Sequence, residues 1–275
     1  MLFALLAAGL YGAADFYGGL GTKRASMWAV TIASQGAGWL VLLAVVRLVP
    51  GSPVAADYWW GAAAGLAGCI GLALLYHALA IGKMGIVSPI TAALGASVPL
   101  LAGMVRGERP SALEAAGIAL ALIAVIMISA SHEESGELEL RTRGVKEAIV
   151  SGCFLGVLYI LLAKAGPHAG LYPLLTARLA SMALLTAVAL GLRQPIVPSK
   201  TSLPYVAAAG VLDMSANVFY LLATFHGLVS IAAVLTSLYP ASTVLLAWGV
   251  LRERLRPVQY AGMLCALAGV VLIGL

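Results

Sequence analysis

The chain has 275 residues, of which 62% are hydrophobic and only 10% charged, with a formal net charge of +5 and a mean hydropathy of +1.01. A soluble domain carries about 25% charged residues. So few charges cannot cover a water-facing surface, which excludes an ordinary soluble fold. The composition predicts an all-α polytopic membrane protein whose principal surroundings are the lipid bilayer. The excess of Lys and Arg falls mostly in short loops, as membrane topology requires, so no nucleic-acid partner follows from it. Cys69, Cys153 and Cys265 each lie within an apolar run and lack metal-ligand spacing. They read as small packing residues, with no disulfide, metal or cofactor expected. No cleavable leader is expected either, because the first apolar segment begins at Leu2 without a basic stretch before it.

A spanning helix needs about 20 apolar residues. Cutting the chain at its charged or Pro/Gly-rich breaks gives ten candidates: 2–20, 27–48, 59–80, 84–105, 111–130, 145–165, 171–192, 203–225, 228–250 and 257–274. The first carries Tyr11 and Asp15, four residues apart and so on one face. The second carries Gln35. The third opens on Trp59 and Trp60, which suit an interfacial anchor. It holds Gly61, Gly65, Gly68 and Gly71, small residues that let helices approach closely in lipid, and closes on Tyr76 and His77. The fourth contains Pro89 and Pro99. The fifth is preceded by Pro110, and Ser111 with Glu114 has capping-box spacing. The seventh contains Arg178. The eighth carries Asp213, Asn217 and Tyr220 as one polar stripe. The ninth contains Thr236, Tyr239 and Pro240, and Pro257 suits the first turn of the tenth.

The chain also repeats itself. Sliding it by 145 positions lays 82–128 on 227–273 without a gap, with 17 of 47 residues identical. Thr91 falls on Thr236, Glu108-Arg109 on Glu253-Arg254, and Ala116-Gly117 on Ala261-Gly262. Five helices precede the polar stretch 131–144 and five follow it. An odd number of spans per copy forces the second to enter the membrane from the opposite side. The fold class is therefore ten transmembrane helices in two inverted five-helix repeats, 1–130 and 145–275, with 131–144 as linker. With an even span count both termini share one side. That side has Arg47, Arg106, Arg109 and Lys164, against eleven Lys and Arg opposite. The charge rule thus turns the termini away from the cytoplasm.

These segments resemble the EamA type of the drug/metabolite transporter superfamily. The resemblance is carried by Tyr11-Gly-Ala-Ala-Asp-Phe16, Ala78-Leu-Ala-Ile-Gly82, Val87-Ser-Pro-Ile90, Gly107-Glu-Arg-Pro110, the stretch from Asp213 to Tyr220, Leu235-Thr-Ser-Leu-Tyr-Pro240 and Arg252-Glu-Arg-Leu255. It implies a bacterial plasma-membrane protein with two EamA-like repeats around a central cavity. It also implies transport of small metabolites, often outward, with both termini in the cytoplasm, opposite to the charge count.

An ionisable group at membrane depth costs about 2.5–3.5 kcal/mol on insertion scales, so each is a functional candidate. The candidate substrate-binding or coupling residues are Asp15, Tyr11, Gln35, Tyr76, His77, Arg178, Asp213, Asn217, Tyr220, Thr236 and Tyr239. Plainer roles stand beside these. Asp15 has a structural alternative as partner of Lys23 or Arg178. The stripe on the eighth helix has one as a helix–helix clamp. Arg178 suits either a substrate carboxylate or the balancing of Asp15 or Asp213. Pro89, Pro99 and Pro240 remove backbone hydrogen bonds and mark gating bends or static kinks. Glu108-Arg109 and Glu253-Arg254 read as loop clamps.

Three function classes follow. The first is a secondary transporter of a small amino-acid-like or amphipathic solute, working by alternating access as an exporter, with possible proton coupling through a carboxylate. A monomer or homodimer is expected. The second is an intramembrane enzyme using Asp15 and Asp213, but HExxH, GxSxG, GxGD and CxxC are all missing. The third is a channel, which lacks any ring of like charges or filter-like repeat. No Walker motif is present, so nothing in the chain couples ATP.

Overall fold

The computed structural model describes residues 1–81, 84–128, 144–252 and 256–274, with side chains other than those of 76, 79, 80, 84–89, 247, 251 and 274. Among the described residues eleven α-helices follow one another: α1 (Leu2–Thr22), α2 (Met27–Val45), α3 (Ala55–Ile81), α4 (Met84–Val105), α5 (Ala112–Ile128), α6 (Val145–Lys164), α7 (Tyr172–Gly191), α8 (Leu203–Phe225), α9 (Val229–Thr236), α10 (Tyr239–Leu251) and α11 (Pro257–Gly274). No strand occurs among the described residues. Among the described residues seven segments are long and apolar enough to cross a membrane, counting Val229–Val250 as one. Described parts of α4, α5 and α11 form shorter apolar helices. The linker 131–143, Gly82-Lys83 and Glu253-Arg254 lie outside the described residues.

Local chemistry sets the helix starts. The expected capping box on α5 is made in both directions: Ser111 N–H donates to Glu114 Oε2 at 2.6 Å, and Glu114 N–H donates to Ser111 Oγ at 3.2 Å. Ser26 caps α2 by accepting from Ala29 N–H. The third helix begins at Ala55, ahead of the expected Trp59. Asp57, buried, reaches back to accept Val54 N–H at 2.8 Å and so satisfies the first turn. The same carboxylate holds His168 Nε2 at 2.9 Å, tying this loop to the turn before α7.

The expected ninth span is two helices. Pro240 has no N–H to give the carbonyl of Thr236 and its ring crowds that carbonyl, so α9 ends there and α10 starts at Tyr239. Across the break, Ser237 Oγ turns back to donate to Val234 O at 2.7 Å. Pro99 also sits inside a helix, yet α4 runs through it unbroken.

Helix α1 packs chiefly on α8, α3 on α6 and α7, α4 on α6, α2 on α8, and α5 on α11. Small residues set these distances. A Cβ at Gly65 would lie 1.9 Å from the Ala177 carbonyl, and one at Gly210 2.0 Å from the Ser34 carbonyl. Only hydrogen fits at either place, so α3 touches α7, and α8 touches α2, backbone to backbone. The outer surface stays apolar: Leu40, Trp248, Leu264 and Leu267 are all exposed. With this many exposed apolar side chains on spanning helices, the protein is an integral membrane protein whose outside faces lipid.

Candidate functional site

Polar side chains are scarce in these helices, and helical spacing gathers most of them. Tyr11 and Asp15 share a face of α1, Arg178 and Ser181 a face of α7, and Asp213 and Asn217 a face of α8. The glycine contacts at Gly65 and Gly210 hold α3 against α7 and α8 against α2 around them. The result is a cavity of about 800 Å³, its open mouth included, near the middle of the spans. Its polar lining is Tyr11, Asp15, Gln35, Tyr159, Arg178, Ser181, Asp213, Asn217 and Tyr239.

One hydrogen-bonded chain runs through it. Arg178 Nη2 donates to Asp213 Oδ2, and Arg178 Nη1 donates to Gln35 Oε1 at 3.0 Å. Ser181 Oγ donates to the same Gln35 oxygen at 2.6 Å. Asn217 Nδ2 donates to the Asp213 backbone carbonyl at 2.8 Å and lies 3.4 Å from its carboxylate. The arginine therefore balances Asp213 rather than Asp15, and three helices are pinned at one level. Among the described residues Asp15 makes no hydrogen bond and no ion pair. It lines the cavity together with Asp213, Tyr159 and Tyr239. Leu72 and Leu75 of α3 and Leu155, Leu158 and Leu162 of α6 supply an apolar part of the lining, interrupted by Tyr159 of α6.

Of the residues expected from sequence, Tyr11, Asp15, Gln35, Arg178, Asp213, Asn217 and Tyr239 meet in this cavity. Tyr220 does not. It is fully buried, with its hydroxyl donating to the Tyr159 carbonyl at 3.3 Å and its ring 4.4 Å from that of Tyr159. Thr236 is also buried beside the cavity, its hydroxyl 3.5 Å from the Ala4 carbonyl. His77 is exposed near the end of α3, away from the lining, and the side chain of Tyr76 is outside the described residues. Pro240 sits at the α9–α10 break and Pro99 is buried in α4, while Pro89 is described in its backbone only. Glu108 closes a loop as expected: its Oε2 accepts from Ser230 Oγ and from Ser230 N–H, capping α9. Sequence reasoning missed Tyr159 and Ser181. Ser181 was visible as the i+3 neighbour of Arg178, whereas Tyr159 stands alone among leucines.

Residues 142–275 match the EamA-like transporter family. Comparison with curated proteins finds no match. A solved structure described as a crystal structure of a protein shares the fold, with a TM-score of 0.78, 16% identity, and coverage of 98% of this chain and 94% of that one. The family match falls on one half of the chain and the fold likeness spans both. The second half of the chain, residues 142–275, is thus similar to the EamA-like transporter family.

Proposed function

We propose that the protein is a secondary transporter that carries a small amino-acid-like or amphipathic metabolite out of a bacterial cell across its plasma membrane. It works by alternating access, as a monomer or homodimer. Its ten spans form two inverted five-helix units, 1–130 and 145–275, and α9 with α10 make up the ninth span. The observation that carries this reading is the cavity itself, lined from both halves by charged side chains carried on spanning helices and bordered by Tyr239 at a helix break.

The packing supports the doubled architecture. A shift of 145 turns α1 against α8 into α6 against α3, α2 against α8 into α7 against α3, and α4 against α6 into the ninth span against α1, and all of these contacts occur. Gly117 packs on Ile273, and Gly262, its counterpart, packs on Ile128, the counterpart of Ile273. Thr91 donates to the Ala148 carbonyl, while Thr236 donates to the Ala4 carbonyl, one residue from the position the shift gives. Asp15, without a hydrogen bond or ion pair among the described residues, is the carboxylate available to exchange a proton for the solute.

Flux from loaded proteoliposomes tests this. Amino acids, nucleosides and organic cations would be screened with and without a pH gradient. Saturable efflux of one class, accelerated by the same solute on the far side, is expected of a carrier. Non-saturating flux without such exchange would point to a channel instead.

A further inference from the structure

We infer that the cavity is shaped for an organic monocation with an apolar body, and not for a solute recognised by its carboxylate. This rests on the reading of the cavity as the solute site and goes further by naming the class of solute.

A lone arginine in a transporter cavity invites a carboxylate ligand. Here the guanidinium is already held by Asp213 on one nitrogen and by Gln35 on another, with Ser181 fixing Gln35 in turn. Arg178 and Asp213 cancel. What remains in the lining is Asp15, without a hydrogen bond or ion pair among the described residues. An entering anion would have to displace Asp213 from Arg178 and meet two carboxylates. An entering ammonium would neutralise Asp15 and donate to it, the pairing that membrane burial favours most. Tyr11, Tyr159 and Tyr239 line the same chamber, and tyrosine rings attract cations.

The second observation is how the two halves differ at matched positions. Under the 145-residue shift, Asp213 and Asn217 of α8 correspond to Gly68 and Leu72 of α3, and Tyr11 and Asp15 of α1 to Gly156 and Ile160 of α6. The pairs α1–α8 and α3–α6 occupy equivalent places and both line the cavity. One pair holds the acids. The other supplies Leu72, Leu75, Leu155, Leu158 and Leu162. A polar solute of uniform character would leave one wall unsatisfied. A molecule with a cationic end against α1 and α8 and a hydrocarbon body against α3 and α6 satisfies both.

The test compares three probes of nearly one shape: phenethylammonium, phenethyl alcohol and hydrocinnamate. Binding to the purified full-length protein in detergent is measured by calorimetry at neutral pH. The ammonium is expected to bind at least about tenfold more tightly than the alcohol, with the carboxylate weakest. Asp15→Asn should bring the ammonium to the level of the alcohol and leave the alcohol unchanged. If Asp15→Asn does not fold, the wild-type ranking decides alone. Equal affinities, a tighter carboxylate, or no binding of any probe up to about 10 mM would overturn the inference. The flux screen keeps the two readings apart. Carrier-type efflux of anionic solutes only would retain the transporter and discard the cation site. Ranked binding without flux of any solute would do the reverse.

Discussion

The Arg178–Asp213 pair is the point at which packing and site chemistry can be weighed together. The side chain of Arg178 is 12% exposed and that of Asp213 36%, so the pair lies between two regimes. Exposed pairs contribute about 0–1 kcal/mol, whereas removing one partner of a buried pair costs about 3–5 kcal/mol. Arg178→Met removes the cation and leaves the Asp213 carboxylate, among the described residues, with Asn217 as its hydrogen-bond partner, at 3.4 Å. Gln35 keeps Ser181. Because Asp213 is over a third exposed, solvent screens the stranded charge and the loss should be about 2–3 kcal/mol. Asp213→Asn keeps an acceptor for Arg178 and should cost about 1–2 kcal/mol. Their double mutant should lose about 2–3 kcal/mol, less than the sum, since the second change removes a group already stranded. Neutral hydrogen bonds between membrane helices average about 0.6 kcal/mol, so a coupling above about 1 kcal/mol marks the charge. Reversible unfolding in mixed micelles, followed by tryptophan fluorescence, gives all four corners of the cycle. Additivity within about 0.5 kcal/mol would refute the claim that this pair pins α7 to α8.

Two further substitutions probe how the frame is held. Gly65→Ala pushes a methyl into the Ala177 carbonyl at 1.9 Å, so α3 and α7 must part. A loss of more than about 2 kcal/mol is expected, while Gly9→Ala, with nothing within 4 Å of its added methyl, should be silent in the same unfolding assay. Glu108→Ala strands Ser230 at the start of α9 and should cost about 1–2 kcal/mol in thermal unfolding, with Glu108→Gln recovering part of it.

Much of this frame was legible because membrane helices signal themselves by composition and by local caps. Ser111 with Glu114, and Pro257 at the start of α11, are local features and formed as read. The stripe of the eighth helix was legible only in part. Helical spacing places Asp213, Asn217 and Tyr220 on one face, but it says nothing about depth, and Tyr220 lies far enough along α8 to be covered by Tyr159. Thr236 stands at the helix break yet turns its hydroxyl to α1, a choice that depends on the neighbour it meets. The assignment of Arg178 to Asp213 over Asp15 was equally out of reach, because it depends on how α7, α2 and α8 meet in space, which spacing along one helix does not give. Tyr159 gave no warning, since a single tyrosine in an apolar helix reads as core.

The most direct measurement uses a thiol already in the wall. Cys69 lines the cavity, and replacing Cys153 and Cys265 with alanine leaves it alone. A membrane-impermeant methanethiosulfonate is then applied to right-side-out and to inside-out vesicles. If one chamber opens to each face in turn, Cys69 is labelled from both faces, and a saturating transported solute slows both reactions. Labelling from one face only, in protein that still moves solute, would contradict alternating access around this cavity.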